Sequence, residues 1–130
     1  MKYSLVKDRN EVLRVDPMPS EAELTEYYQE KYYQENPGQY GRPYSESEIS
    51  YFHFQDKLLN YALQEKFDFK SGDFLEFGCG EGFTLNYFYK QGWQVHGVDF
   101  SDFGIKKFQG EIAEKFNFIK GSFLDQSLFS

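Results

Sequence analysis

The sequence predicts an α/β fold, a parallel sheet with flanking helices preceded by a helical N-terminal segment. Three observations predict it. An apolar run, Phe74 to Phe77, leads into glycines at alternate positions 78, 80 and 82 and then into an amphipathic segment with Leu85, Tyr87 and Phe88, which is the pattern of strand, tight loop and helix. A second apolar run ends at Asp99 and is followed by Ser101-Asp102, suited to cap another helix. A third run, Phe116 to Lys120, comes after that helix. Strands alternating with helices in this way form parallel sheets with right-handed crossovers.

Taken in order, residues 1–15 mix polar and apolar side chains without a clear period and read as an irregular arm with room for a short strand. Pro17 and Pro19 stop any continuing element. Ser20-Glu21-Ala22-Glu23 is a capping box, with Leu24, Tyr27, Tyr28 and Lys31 at helical spacing after it, and predicts a helix over 20–34. Asn36 to Tyr44 holds two Pro and two Gly and reads as a long loop, either a lid or a connector, with Tyr40 and Tyr44 as the rings that would close over a ligand. Ser45-Glu46-Ser47-Glu48 is a second capping box and opens a helix to about Lys66. Its stripe of Phe54, Leu58, Tyr61 and Ala62 is expected to pack against the sheet. Ser71-Gly72 breaks the chain before strand one, so residues 1–70 form an arm with two helices and residues 71–130 carry the sheet.

Beyond the glycine loop, a crossover helix runs to about Gln91, with Gly92 as its terminator. Strand two spans 93–98. The helix with Phe103, Ile105 and Phe108 is weakened by Gly110, and strand three, 116–120, ends at Gly121-Ser122-Phe123-Leu124-Asp125.

The glycine stretch carries the chemistry. A chain that leaves a strand, turns sharply and starts a helix needs positive φ and lets a ligand approach bare backbone. The helix start then offers unpaired N–H groups. Asp99 stands about twenty residues beyond the first glycine, at the end of strand two, where a carboxylate accepts hydrogen bonds from ribose hydroxyls. Together they describe a nucleoside-binding crevice. A dinucleotide fingerprint would require a small residue where Phe83 stands, which argues against a nicotinamide-dependent oxidoreductase.

What stands instead is Glu76-x-Gly78-x-Gly80-x-Gly82. From Asp73 to Asp125 the chain resembles the class I S-adenosylmethionine-dependent methyltransferases, whose first motif is acidic-x-G-x-G-x-G and whose second is the acid ending strand two. The resemblance implies a Rossmann-like methyltransferase fold, here the 3-2-1 half of a seven-stranded sheet, and S-adenosylmethionine as cofactor with S-adenosylhomocysteine as product. It implies that Glu76 serves the cofactor's amino acid part, that Gly78, Cys79 and Gly80 bring backbone to the methionine and ribose, that Gly82 serves the start of the helix, and that Phe100 lies against adenine. The family places an Asp after the glycine that ends strand three; here Gly121-Ser122-Phe123 stands there, so the Ser122 hydroxyl or a backbone contact at Phe123 takes its place. Acceptor-binding residues of the family follow strand four, so no catalytic residue is assigned. Residues Asp16 to Glu21 and the Tyr-Tyr after them resemble the leader of some bacterial polysaccharide and sugar-modification methyltransferases, which implies a small-molecule or sugar acceptor.

Strand one lacks apolar and polar alternation and is written like a strand covered on both faces. Something is therefore expected to pair along it, either the C-terminal half of a longer protein or a second copy. A non-catalytic binding or assembly module is the rival reading, supported by the Ser122 departure.

With 14 Lys plus Arg against 21 Asp plus Glu the net charge is −7, and no basic cluster stands out, which disfavours nucleic acid as partner. One cysteine excludes an intramolecular disulfide and a cysteine-based metal site and fits a reducing compartment. No long uncharged apolar run occurs, so no membrane contact is expected and the location is read as cytoplasmic. The 11 Tyr and 15 Phe are assigned mainly to core and interface. Glu76 and Glu81 beside Cys79 would raise its thiol pKa, so that thiol is read as structural. His96 is placed in the sheet with a core or surface role; His53, on the preceding helix, is either a general base or, as lone helical histidines usually are, a surface or packing residue.

Overall fold

The computed structural model describes residues 2–28, 32 and 42–122. The N-terminal arm is more regular than its sequence suggests: β1 (Ser4–Lys7) and β2 (Leu13–Asp16) pair antiparallel, with Ser4 opposite Asp16. Asp8 Oδ1 closes the turn by accepting the N–H groups of Asn10 and Val12 at 2.8 and 3.0 Å. The hairpin hides from a periodicity reading because it buries no face, Leu5 and Leu13 both being exposed.

Helix α1 (Glu21–Glu26) starts at the expected capping box, with Ser20 Oγ accepting from the Glu23 N–H and Glu23 Oε2 accepting from the Ser20 N–H. It passes into a π turn at 27–28; beyond that, Tyr32 apart, the helix expected to residue 34 lies outside the described residues. Helix α2 (Glu46–Phe67) starts at the second box, where Arg42 forks onto the Glu48 carboxylate at 3.0 and 2.8 Å.

The expected orientation of α2 is overturned. Phe54, Leu58 and Tyr61 are 57%, 54% and 63% exposed, whereas Asp56 and Asn60 are buried. Phe52, Asp56, Asn60 and Leu63 follow one another at helical spacing, and their face packs against the next helix. The two sides of α2 differ little in hydrophobicity, so tertiary contacts decide which turns inward.

The main sheet has three parallel strands in the order β3-β4-β5: β3 (Asp73–Phe77), β4 (Gln94–Asp99) and β5 (Asn117–Lys120). Helix α3 (Phe83–Lys90) links the first pair, and α4 (Phe103–Gln109) with a 3-10 turn (Gly110–Lys115) links the second. Register places Glu76 opposite Gly97 and Asp99 opposite Lys120. The core lies between the sheet and its helices, built on Leu85, Phe88, Trp93, Val95, Ile105 and Phe116. Phe74 stacks on Phe88 with ring centroids 4.1 Å apart. Gly97 lets β4 approach α3 closely, since a Cβ there would lie 2.7 Å from Leu85 Cδ1 and 2.8 Å from Cys79 Sγ.

On β3, Phe74 and Glu76 are partly buried while Leu75 and Phe77 are about half exposed. Among the described residues, β3 is an edge strand. No described helix is long and apolar enough to cross a membrane.

Candidate functional site

The loop between β3 and α3 turns through left-handed backbone. Gly78 stands at φ 71° and donates its N–H to Val98 O at 2.7 Å, extending the β3–β4 ladder by one bond. Gly82, at φ 70°, is the N-cap of α3; a Cβ there would stand 2.9 Å from Ile105 Cγ1, so helix entry and close packing together require glycine. Between them, Gly80 donates its N–H to Asp99 Oδ2 at 2.9 Å. Asp99 Oδ1 takes the Ser101 N–H at 3.1 Å, and Ser101 Oγ takes the Phe103 N–H at the start of α4.

A crevice of about 350 Å³ opens at this end of the sheet, bounded by Gly78, Gly80, Asp99, Phe100 and Gly121. The N-terminal segment supplies its remaining wall through Tyr28 and Tyr32. Tyr28 stacks on Phe100 with ring centroids 5.5 Å apart and planes within 5°. Ser122 is only 3% exposed, and it is Gly121 that borders the crevice, its N–H donated to Asp99 O at 2.9 Å. Phe123, Tyr40 and Asp125 lie outside the described residues.

A second hollow, of about 240 Å³, shares Gly78, Gly80 and Glu81 with the first. Glu76 from β3 and Asp56 from α2 both line it. Burial pushes the Glu76 carboxyl up to about 7, with the charges of Asp56 and Asp99 adding to the effect. Asp56 is raised as well, mainly by burial and against a hydrogen bond from Thr84.

The loop is braced from outside. Tyr44 donates to Glu81 Oε1 at 3.2 Å, and Gln109 Nε2 donates to the Glu81 carbonyl at 2.7 Å. Burial and the Glu81 charge push the Tyr44 phenol up to about 12. Tyr44 is set among Phe52, Phe83 and Phe108, so it supports the loop and is no cover for the crevice. Phe83 therefore faces this aromatic cluster, and Gly82 is where the start of α3 comes close to α4.

Cys79 is buried, and burial followed by the Asp99 and Glu76 charges pushes its thiol up to about 12, which keeps it a neutral packing group. Its carbonyl accepts the Gly82 N–H at 2.8 Å and its N–H is directed at Val98 O at 3.4 Å, so its backbone is engaged within the protein. His53 is exposed on α2, and His96 Nε2 meets Asp73 Oδ1 at 3.0 Å on the sheet surface.

The structure thus brings Glu76, Gly78, Gly80, Asp99 and Phe100 around two joined hollows. It adds three residues that sequence reasoning missed: Asp56, Tyr28 and Tyr32. Asp56 had a signal, being a carboxylate in register with Phe52 and Leu63 on one helix face. The tyrosines approach from far along the chain and had none.

A family model described as a methyltransferase domain matches residues 47–125, a span that begins in α2 and takes in the second hollow and all of the first except Tyr28 and Tyr32. No curated protein matches the chain.

Proposed function

Because the chain belongs to the methyltransferase domain family of class I S-adenosylmethionine-dependent enzymes, we propose that its joined hollows bind S-adenosylmethionine and that it serves methyl transfer to a small-molecule or sugar acceptor. The sheet β3-β4-β5 with its helices is part of the Rossmann-like fold of that family.

The observation that carries the proposal is Asp99 in the crevice beside the glycine loop. Each of its oxygens takes one backbone N–H, and a carboxylate oxygen has a further lone pair for a ribose hydroxyl. The rest of the crevice fits the cofactor. A Cβ on Gly78 would meet nothing within 4 Å, so the backbone there is open to a ligand. Phe100 and Tyr28, stacked on each other, both border the crevice with rings that a purine can pack against. When bound, S-adenosylmethionine supplies a methyl group activated by its sulfonium. The residues of this chain then have to orient it and keep water out, with Asp99 holding the ribose and Gly78 and Gly80 the adjoining backbone contacts. No base is assigned among them.

The edge of β3, open among the described residues, with Leu75 and Phe77 about half exposed and the apolar side of α2 exposed, supports the reading that this chain is a cofactor-binding half. Further strands would pair along β3, from the same protein or from a second copy, and would bring the acceptor residues. The single thiol is compatible with a reducing, cytoplasmic location.

Isothermal titration of the chain with S-adenosylhomocysteine, beside Asp99→Ala and with NAD as control, tests the proposal. Binding that is lost in the variant and absent for NAD is the expected result. A folded wild-type chain that binds neither ligand, or binds NAD as well as S-adenosylhomocysteine, would overturn it.

A further inference from the structure

Helix α2 uses the face with Phe52, Asp56, Asn60 and Leu63 to pack inward, and turns a second apolar stripe to solvent. Tyr51, Phe54, Leu58 and Tyr61 are 58%, 57%, 54% and 63% exposed. They follow one another at steps of three, four and three residues, the spacing of a helix–helix seam. The stripe runs along about 15 Å of helix. Gln55 Nε2 donates to the Tyr51 hydroxyl at 3.0 Å and holds that ring in place. Apolar side chains scattered singly over a surface need no partner, but three rings and a leucine in one row mark an association site.

We propose that α2 pairs with α2 of a second copy of this chain, antiparallel, about a two-fold axis beside residue 56. Three features select a second copy. The stripe reads the same in both directions, so one register sets Tyr51 against the partner's Tyr61 and Phe54 against the partner's Leu58, each contact made twice. The same register ends the seam with Ser47 opposite the partner's Glu65, a hydroxyl facing a carboxylate. Charge then chooses the direction. The first turn of α2 carries Glu46 and Glu48 and its last turn Lys66, so antiparallel pairing sets acids beside a lysine and opposes the helix dipoles favourably. Parallel pairing would bring the acidic turns of both copies together. The area suffices as well. With rings of roughly 150–250 Å² each, the stripe offers on the order of 500 Å² per copy, and two copies reach about the 1,000 Å² that a specific interface needs. None of the four residues lines either hollow or belongs to β3, so this pairing stands apart from the cofactor reading and from the open sheet edge.

Sedimentation velocity over a range of concentrations tests the pairing, on the wild-type chain beside Leu58→Lys on α2 and Leu75→Lys on the β3 edge. The wild type is expected to be a dimer that dissociates at about 1–100 µM, as fits an interface at the lower end of the size range. Leu58→Lys is expected to weaken it about 100-fold, because each dimer carries the change twice, and Leu75→Lys to leave it unchanged. A wild-type chain that stays monomeric at the same concentrations overturns the proposal. So does a dimer that survives Leu58→Lys or is lost with Leu75→Lys. Tyr61→Lys, at the most exposed position of the stripe, gives the same reading should Leu58→Lys fail to fold. Direction is read by oxidising a mixture of Phe54→Cys and Leu58→Cys chains. Disulfides between the two variants are expected, whereas disulfides formed equally well by Phe54→Cys alone would mean parallel helices and overturn the antiparallel pair.

Discussion

Gly80 and Asp99 are joined by a hydrogen bond of 2.9 Å from the loop N–H to carboxylate Oδ2. One side chain at the end of β4 thereby fixes the middle of the loop that follows β3, and the same carboxylate borders the crevice. Loop shape and ligand affinity are consequently coupled through a single group.

That coupling makes Asp99→Asn informative. The amide keeps an oxygen for Gly80 but loses the charge and presents an N–H₂ where Ser101 also donates. Stability is expected to fall by about 1–2 kcal/mol in urea unfolding. Affinity for S-adenosylhomocysteine should fall at least tenfold, and a variant that binds as tightly as the wild type would remove Asp99 from the ribose role.

Glu76 predicts a pH dependence. Its pKa rises from the ordinary 4.5 to about 7, through burial first and then the Asp56 and Asp99 charges, with Cys79 and Glu81 the other titratable groups beside it. The folded chain therefore holds a proton that the unfolded chain has already released, and stability falls as pH rises from about 4.5 to 7. Glu76→Gln removes that loss. Its advantage over the wild type in urea unfolding should be near zero at pH 4 and reach up to roughly 3 kcal/mol at pH 8. An advantage equal at both pH values would show that folding leaves the Glu76 pKa unshifted.

Gly97→Ala tests the contact between β4 and its neighbours. The added methyl would meet Leu85 at 2.7 Å and the Cys79 sulfur at 2.8 Å, so a loss of about 1–3 kcal/mol is expected. Cys79→Ala in the same chain removes one of the two clashes. The double variant should then be more stable than the sum of the single losses allows, by at least about 0.5 kcal/mol. Strict additivity would mean that the sulfur does not press on position 97.

Tyr28 tests whether the N-terminal segment belongs to the site. Tyr28→Ala is expected to weaken S-adenosylhomocysteine roughly tenfold, and Tyr28→Phe to restore most of that affinity, because the stacking face is what matters. Unchanged affinity in Tyr28→Ala would remove Tyr28 from the site.

How far the sequence could be read follows from how local each signal is. The β3–loop–α3 unit and Asp99 were legible because apolar runs, glycines and a spaced acid stand in short continuous stretches. The capping boxes at Ser20 and Ser45 were legible for the same reason, and both form. The inward face of α2 was not, since Phe54, Leu58 and Tyr61 make as good a stripe as Phe52 and Leu63, and only packing against α3 selects Asp56 for burial. The β1–β2 hairpin, solvated on its surface, left no alternation to find. Tyr28 and Tyr32 meet the crevice through tertiary structure alone.

The outward rings of α2 bear on how the stability of this fold would have to be quoted. Wherever Tyr51, Phe54, Leu58 and Tyr61 are covered by a second polypeptide, the folded state acquires a mass-action contribution. Its melting temperature then becomes a function of concentration, and a value measured at one dilution does not transfer to another.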